Sequence, residues 1–95
     1  MFHYIALLRF TDQGAKNIKQ SASRAHSFDE AAEKAGVKID GQYWTVGAYD
    51  GVLILSADEE NKVLHWLAEL ATAGNVRTET MRSFTEKEFV SIVAD

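Results

Sequence analysis

Val52-Leu53-Ile54-Leu55 is the stretch whose reading decides the fold. It is a short aliphatic run between the turn glycine Gly51 and the polar Ser56, and successive side chains of a strand point to opposite faces. Neither face of this strand is polar, so both must be covered. His3-Tyr4-Ile5-Ala6-Leu7-Leu8-Arg9-Phe10 has the same character, with Ile5 and Leu7 on one face and Ala6 and Leu8 on the other.

Upstream of Val52, the segment Val37 to Val46 alternates, with Val37, Ile39, Tyr43 and Thr45 on one face and Lys38, Asp40, Gln42 and Trp44 on the other. Gly47 to Gly51 supplies a turn, which makes the two strands a hairpin. Downstream, Asp58 is placed to cap a helix, and Glu59 and Glu60 suit its positive N-terminal end. Val63, Leu64, Leu67, Leu70 and Ala71 form the apolar face of that helix, and Gly74 ends it. Val76 to Phe84 reads as a fourth strand. Thr85-x-x-Glu88 has capping-box spacing and opens a short C-terminal helix, with Phe89, Ile92 and Val93 expected to face inward.

Between the first strand and Val37, Thr11 to Gly14 is a break, and residues 15–22 fit either a loop or a first helical turn. A helix is expected from about Ser21 to Ala35, where Ala25, Phe28, Ala32 and Ala35 share a face. Ser27-Phe28-Asp29-Glu30 then lies inside the helix and caps nothing. Gly36 is its stop, because glycine alone enters the left-handed conformation after a helix without steric cost.

The order is β-α-β-β-α-β-α. This is an α+β fold, a ferredoxin-like βαββαβ sandwich with a four-stranded antiparallel sheet and a short C-terminal helix. That topology makes the first and third strands central, and these are the two strands apolar on both faces. Helices on one side leave the second face to the C-terminal helix or to another subunit, and two-fold pairing is the commonest solution. Self-association as a homodimer is therefore expected.

Composition bounds the function. The chain has 95 residues and no linker-like stretch, so residues 1–95 read as one domain. The lack of cysteine rules out disulfides, thiolate metal sites, thiol nucleophiles and iron–sulfur clusters. A net charge of −4 with interspersed acids and bases argues against nucleic acid and anionic membranes as partners. No apolar run approaches the ~20 residues of a membrane span, and no signal-peptide pattern opens the chain, so a cytoplasmic location is expected. His3, His26 and His65 are not spaced to share a metal, and His65 pairs more naturally with Glu69 one turn on. The glycines occur singly, without a phosphate loop or dinucleotide fingerprint. Neither a metal nor a cofactor is expected.

The richest polar constellation surrounds the hairpin: Tyr43, Tyr49 and Asp50, with Asp50 as orienting group or base for a tyrosine hydroxyl. Packed aromatics and a turn aspartate are the plainer account of the same residues. Arg77 and Thr78 on the fourth strand are further ligand-binding candidates, since the arginine fork suits a carboxylate or phosphate. Charge on an edge strand also discourages aggregation, so Arg77 has a structural explanation too. Arg9, and Lys16 and Lys19 in the irregular connection, are weaker candidates of the same kind. No residue can be assigned a catalytic role.

Tyr4-x-x-Leu7-x-x-Phe10-Thr11-x-x-Gly14, Tyr43-Trp44-Thr45-x-Gly47-x-Tyr49-Asp50 and Gly74-Asn75-Val76-Arg77-Thr78-x-Thr80 together resemble the GYD domain family of small bacterial proteins. The one departure is Ala48 directly before Tyr49-Asp50, with Gly47 one place earlier. The resemblance implies a ferredoxin-like domain of the dimeric α/β-barrel type and no particular activity. The function expected is a homodimeric small-molecule-binding or regulatory module, with Tyr43, Tyr49, Asp50, Arg77 and Thr78 lining a cleft. The alternatives are a cofactor-independent isomerase or oxygenase acting on an aromatic or enolisable substrate, and a pure dimerisation element.

Overall fold

The structure is a computed structural model that describes residues 1–94. Its elements run β1 (Phe2–Phe10), α1 (Asp12–Lys16), a 3-10 turn (Ile18–Gln20), α2 (Ser21–Lys34), β2 (Val37–Trp44), β3 (Gly51–Ala57), α3 (Glu60–Ala73), β4 (Val76–Ser83) and α4 (Glu86–Val93). The sheet order is β2-β3-β1-β4 with every neighbouring pair antiparallel. This is the ferredoxin-like α+β fold expected, with the two doubly apolar strands at its centre. Among the described residues no helix is long and apolar enough to cross a membrane.

Strand register separates the two faces. Ala6 lies opposite Leu53 and Tyr4 opposite Leu55, and this set packs under α2 and α3 against Phe28, Ala32, Val63, Trp66 and Leu67. Leu53 and Leu55 are 2% and 1% exposed, so each contributes close to the full burial energy of a leucine, about 1.5–3 kcal/mol. The Phe28 and Trp66 rings meet at 5.2 Å and tie α2 to α3. The other face pairs Ile5 with Ile54 and Leu7 with Val52, and all four stay partly exposed.

β2 does not keep the strict alternation expected of it. The register shifts between Ile39 and Gly41, leaving Asp40 as the extra residue of a bulge. Beyond the bulge Gln42 lies opposite Leu53 and Tyr43 opposite Val52, so Tyr43 joins the open face and not that of Val37 and Ile39. The Asp40 carboxylate accepts a hydrogen bond from the buried Ser56 hydroxyl at 2.8 Å, which satisfies both groups.

Helix ends largely follow the sequence. Gly36 and Gly74 have φ of +86° and +80° after α2 and α3, and Thr85 with Glu88 forms a reciprocal capping box on α4. Two expectations are corrected. Asp58 does not cap α3: the capping position falls on Glu59, whose side chain makes no cap bond, while the Asp58 carboxylate takes the Lys62 ammonium at 2.8 Å. And α4 does not turn its apolar residues inward, because Phe89 and Ile92 are 57% and 61% exposed and Val90 and Val93 are exposed as well. The C-terminal helix is thus not the cover of the open sheet face. Thr11 to Gly14, read as a break, already opens α1 at Asp12, and residues 15–22, read as loop or first helical turn, are helical except at Asn17.

Candidate functional site

Three motif segments meet at the end of the sheet where β1 stops, the β2–β3 hairpin turns and β4 begins. The Thr11 amide donates to the Asn75 carbonyl at 3.0 Å, and the Thr11 hydroxyl donates to the Gly74 carbonyl at 2.6 Å and accepts from the Gly14 amide. Gly14 is a fitted contact: a Cβ there would stand 2.0 Å from the Asn75 carbonyl oxygen. The Gln13 side-chain amide bridges the Ala73 carbonyl and Asn75 Oδ1. The hairpin closes onto the same end, where the Asp50 amide donates to the Leu8 carbonyl and Asp50 Oδ2 accepts from the Phe10 amide at 2.8 Å. The threonine, asparagine and aspartate of the motifs thus satisfy backbone groups that the ending strands leave open.

Inside this frame, on the helix side, lies a cavity of about 440 Å³. Leu8, Phe10, Phe28, Leu53, Leu70 and Val76 form its walls. Ser21, Arg24, Gln42, Trp44, Asp50 and Asn75 border it with polar groups. Its origin is legible in α2, whose first half turns Ser21, Ser23 and Ala25 to it, side chains too short to cover the sheet. The Trp44 indole N–H donates to the Ser21 hydroxyl at 2.9 Å, spanning from β2 to α2.

The five residues singled out from the sequence do not converge. Asp50 and Tyr43 border the cavity, although Tyr43 belongs by register to the open face and is 60% exposed. Tyr49 stands over the opposite face, where its hydroxyl donates to Glu79 at 2.7 Å and the Arg9 guanidinium lies 4.6 Å from its ring centre. Arg9 and Glu79 approach to 3.8 Å. Arg77 is exposed, and its guanidinium donates to the Val76 carbonyl. Thr78 pairs with Leu8 on the helix side, within 3.5 Å of the Thr80 hydroxyl. Asp50 therefore does not orient Tyr49, since its carboxylate serves the backbone of β1. The Tyr49 phenol is held above its usual range, first by the hydrogen bond to Glu79 and then by burial, so it is a donor and a poor base.

One titratable group escaped the sequence reading. The Asp29 carboxyl on α2 is held above the usual carboxylate range by burial, against the opposing pull of His26 and of the Gln42 amide. Its Oδ1, like the Trp66 indole nitrogen, is buried with no hydrogen-bond partner among the described residues. Its only sequence signal was membership of a capping-box pattern inside a helix. His26 and His65 each pair with a glutamate one turn on, at 2.6 and 3.8 Å. Among the described residues no cluster of acidic or histidine side chains is placed to hold a metal ion.

The family model described as the GYD domain matches residues 4–93. A protein of Thermus thermophilus, named "Glutamine synthetase and cystathionine beta-lyase binding protein", is 27% identical over 89 residues, which is 93% of this chain and 94% of the relative. The crystal structure of TTHA0845, also from Thermus thermophilus, superposes with a TM-score of 0.49 at 21% identity, covering 90% of this chain and 95% of that one.

Proposed function

The chain belongs to the GYD domain family, and we propose that it serves there as a homodimeric binding module, regulatory rather than catalytic. The observation that carries the pairing is the open sheet face. Ile5, Leu7, Val52 and Ile54 form a contiguous aliphatic surface across the two central strands, with Tyr43 and Met81 beside it on the edges. A monomer would leave that surface to water, and α4 does not cover it. A second copy presenting the same flat face makes a two-fold sheet-to-sheet contact. Cytoplasm is the compartment this reading supposes.

A binding role is supported by the way the polar groups are used. Asp50 is held by the Phe10 amide and Tyr49 is turned to the other face, so the tyrosine–aspartate pair expected from the sequence does not form. The Thermus relative, named for binding two enzymes, supports a protein partner; we extend to this chain the protein-binding role and not the identity of those enzymes. The exposed Phe89, Val90, Ile92 and Val93 of α4 offer such a partner an apolar surface. The enzyme alternative has one observation in its favour, the raised Asp29 carboxyl beside Gln42, since perturbed carboxyls gather at catalytic sites.

Sedimentation of the wild type and of Leu7→Asp tests the pairing. The wild type should run as a dimer at about tens of micromolar, and Leu7→Asp as a folded monomer, because a charge on that face cannot be desolvated against its copy. A monomeric wild type at that concentration refutes the pairing.

A further inference from the structure

The geometry points to the cavity beneath the first half of α2 as a binding site for a neutral, two-ring aromatic molecule carrying one hydrogen-bond donor. The site lies on the helix side of the sheet, so it goes beyond the pairing proposed above and does not depend on it. Its size sets the first limit. An apolar cavity of about 150 Å³ holds one benzene ring, and about 440 Å³ falls within the range of small-molecule sites. By that measure two fused rings with a substituent fit within it, whereas a single ring leaves most of it empty.

The walls set the second limit. Phe10, Phe28 and Trp44 contribute aromatic surface, and Leu8, Leu53 and Leu70 aliphatic surface. Aromatic rings favour edge and offset contacts with other rings, worth about 0.5–1.5 kcal/mol beyond burial. The polar border sets the third. Arg24 donates to the Asn17 carbonyl at 2.7 Å, Trp44 to Ser21, and Asn75 Oδ1 accepts from Gln13. These groups are already engaged within the chain, and Arg24 and Asp50 bring opposite charges. An ionised ligand would shed its hydration against mostly hydrocarbon walls with no excess of counter-charge to receive it. Among the bordering groups, Asp50 Oδ2 is taken by the Phe10 amide, which leaves Oδ1 to accept from a ligand hydroxyl or N–H.

The probe is 2-naphthol, followed by amide chemical shifts in ¹H–¹⁵N spectra of the intact chain. Saturable shifts should centre on Ala25, Trp44 and Leu53, with a Kd below about 1 mM. Ala25→Phe, which fills the cavity, should weaken binding by about tenfold or more, and naphthalene, lacking the donor, should bind about tenfold more weakly than 2-naphthol. Ala73→Phe blocks the cavity from α3 at an exposed position, so it supplies the same test should Ala25→Phe not fold. Ile54→Thr, on the open face, should leave the affinity unchanged. The proposal is overturned if the shifts centre on Ile5, Leu7 and Val52, if binding survives the blocking variants, or if 2-naphthoate binds as tightly as 2-naphthol. The sedimentation result for Leu7→Asp bears on none of these outcomes, so the two proposals fail separately.

Discussion

On one side of the sheet Ala6, Leu53 and Leu55 are sealed beneath two helices; one residue along the chain, Ile5, Leu7, Val52 and Ile54 form an equally aliphatic surface that remains partly exposed. The amino-acid types scarcely differ between the faces. What differs is the neighbour each face has been given within the chain, so hydrophobicity alone identifies a surface to be covered and not its cover. On the helix side the cover is incomplete as well, because the small residues of early α2 leave a cavity where Phe28 would otherwise be repeated. The sheet therefore bounds two unfilled apolar surfaces of different shape: a broad face suited to another sheet and a concave pocket suited to a small molecule.

The sharpest way to break the comparison is to truncate one residue on each side of β3. Leu55→Ala removes side-chain volume from a closed core and should cost about 2–5 kcal/mol in chemical denaturation. Ile54→Ala should cost clearly less in dilute solution, and its penalty should grow with protein concentration as the proposed pairing takes hold. Equal, concentration-independent losses would show that the faces are energetically alike and remove the basis for a second copy.

A smaller effect separates two glycines at the site end. Gly14→Ala drives a Cβ into the Asn75 carbonyl oxygen, a backbone atom that cannot swing away, and should cost about 1–3 kcal/mol. Gly74→Ala puts its Cβ in ordinary van der Waals contact with the Gln13 amide, 3.5 Å away, but must hold φ at +80°, so about 1–2 kcal/mol is expected from backbone conformation alone. Thermal melts of both variants rank them. A Gly14→Ala melt equal to wild type would show that β4 and α1 are not locked as described.

Much of the fold was legible because its determinants are local: doubly apolar β1 and β3, glycines after α2 and α3, and Thr85 with Glu88. The faces were not. Alternation is read by counting, and the extra residue at Asp40 carries no hydrophobic signature, so counting past it put Tyr43 on the wrong side. The end of α3 was legible from Gly74, whereas its start was not, because Asp58 has a competing lysine one turn on that claims its carboxylate. The candidate site suffered most. Tyr49 and Asp50 are adjacent in sequence, yet one turns to Glu79 over the open face and the other to the β1 backbone. The cavity arises from what is missing at Ser21, Ser23 and Ala25, and a run of small residues resembles an ordinary exposed helix turn until the sheet beneath it is known.

The smallest expected effect concerns Asp29, where the helix side meets its polar margin. Burial raises its carboxyl above the unfolded value, while His26 and the Gln42 amide pull the other way and only partly offset it. A carboxyl whose folded pKa lies above its unfolded one binds its proton more tightly in the folded chain, so it stabilises the fold most at low pH. That contribution is fully present below the unfolded value and is lost as pH rises through the folded one. Above that window the wild type holds a partly desolvated charge with one oxygen unpartnered. Asn at this position is neutral at every pH, so Asp29→Asn should match the wild-type melting temperature in acid and exceed it slightly near neutrality. Calorimetric melts of both chains across the carboxylate range and up to neutral pH measure the gap. A gap that stays constant, or that favours the wild type near neutrality, would mean that His26 and Gln42 outweigh burial and that the carboxylate belongs charged where it stands.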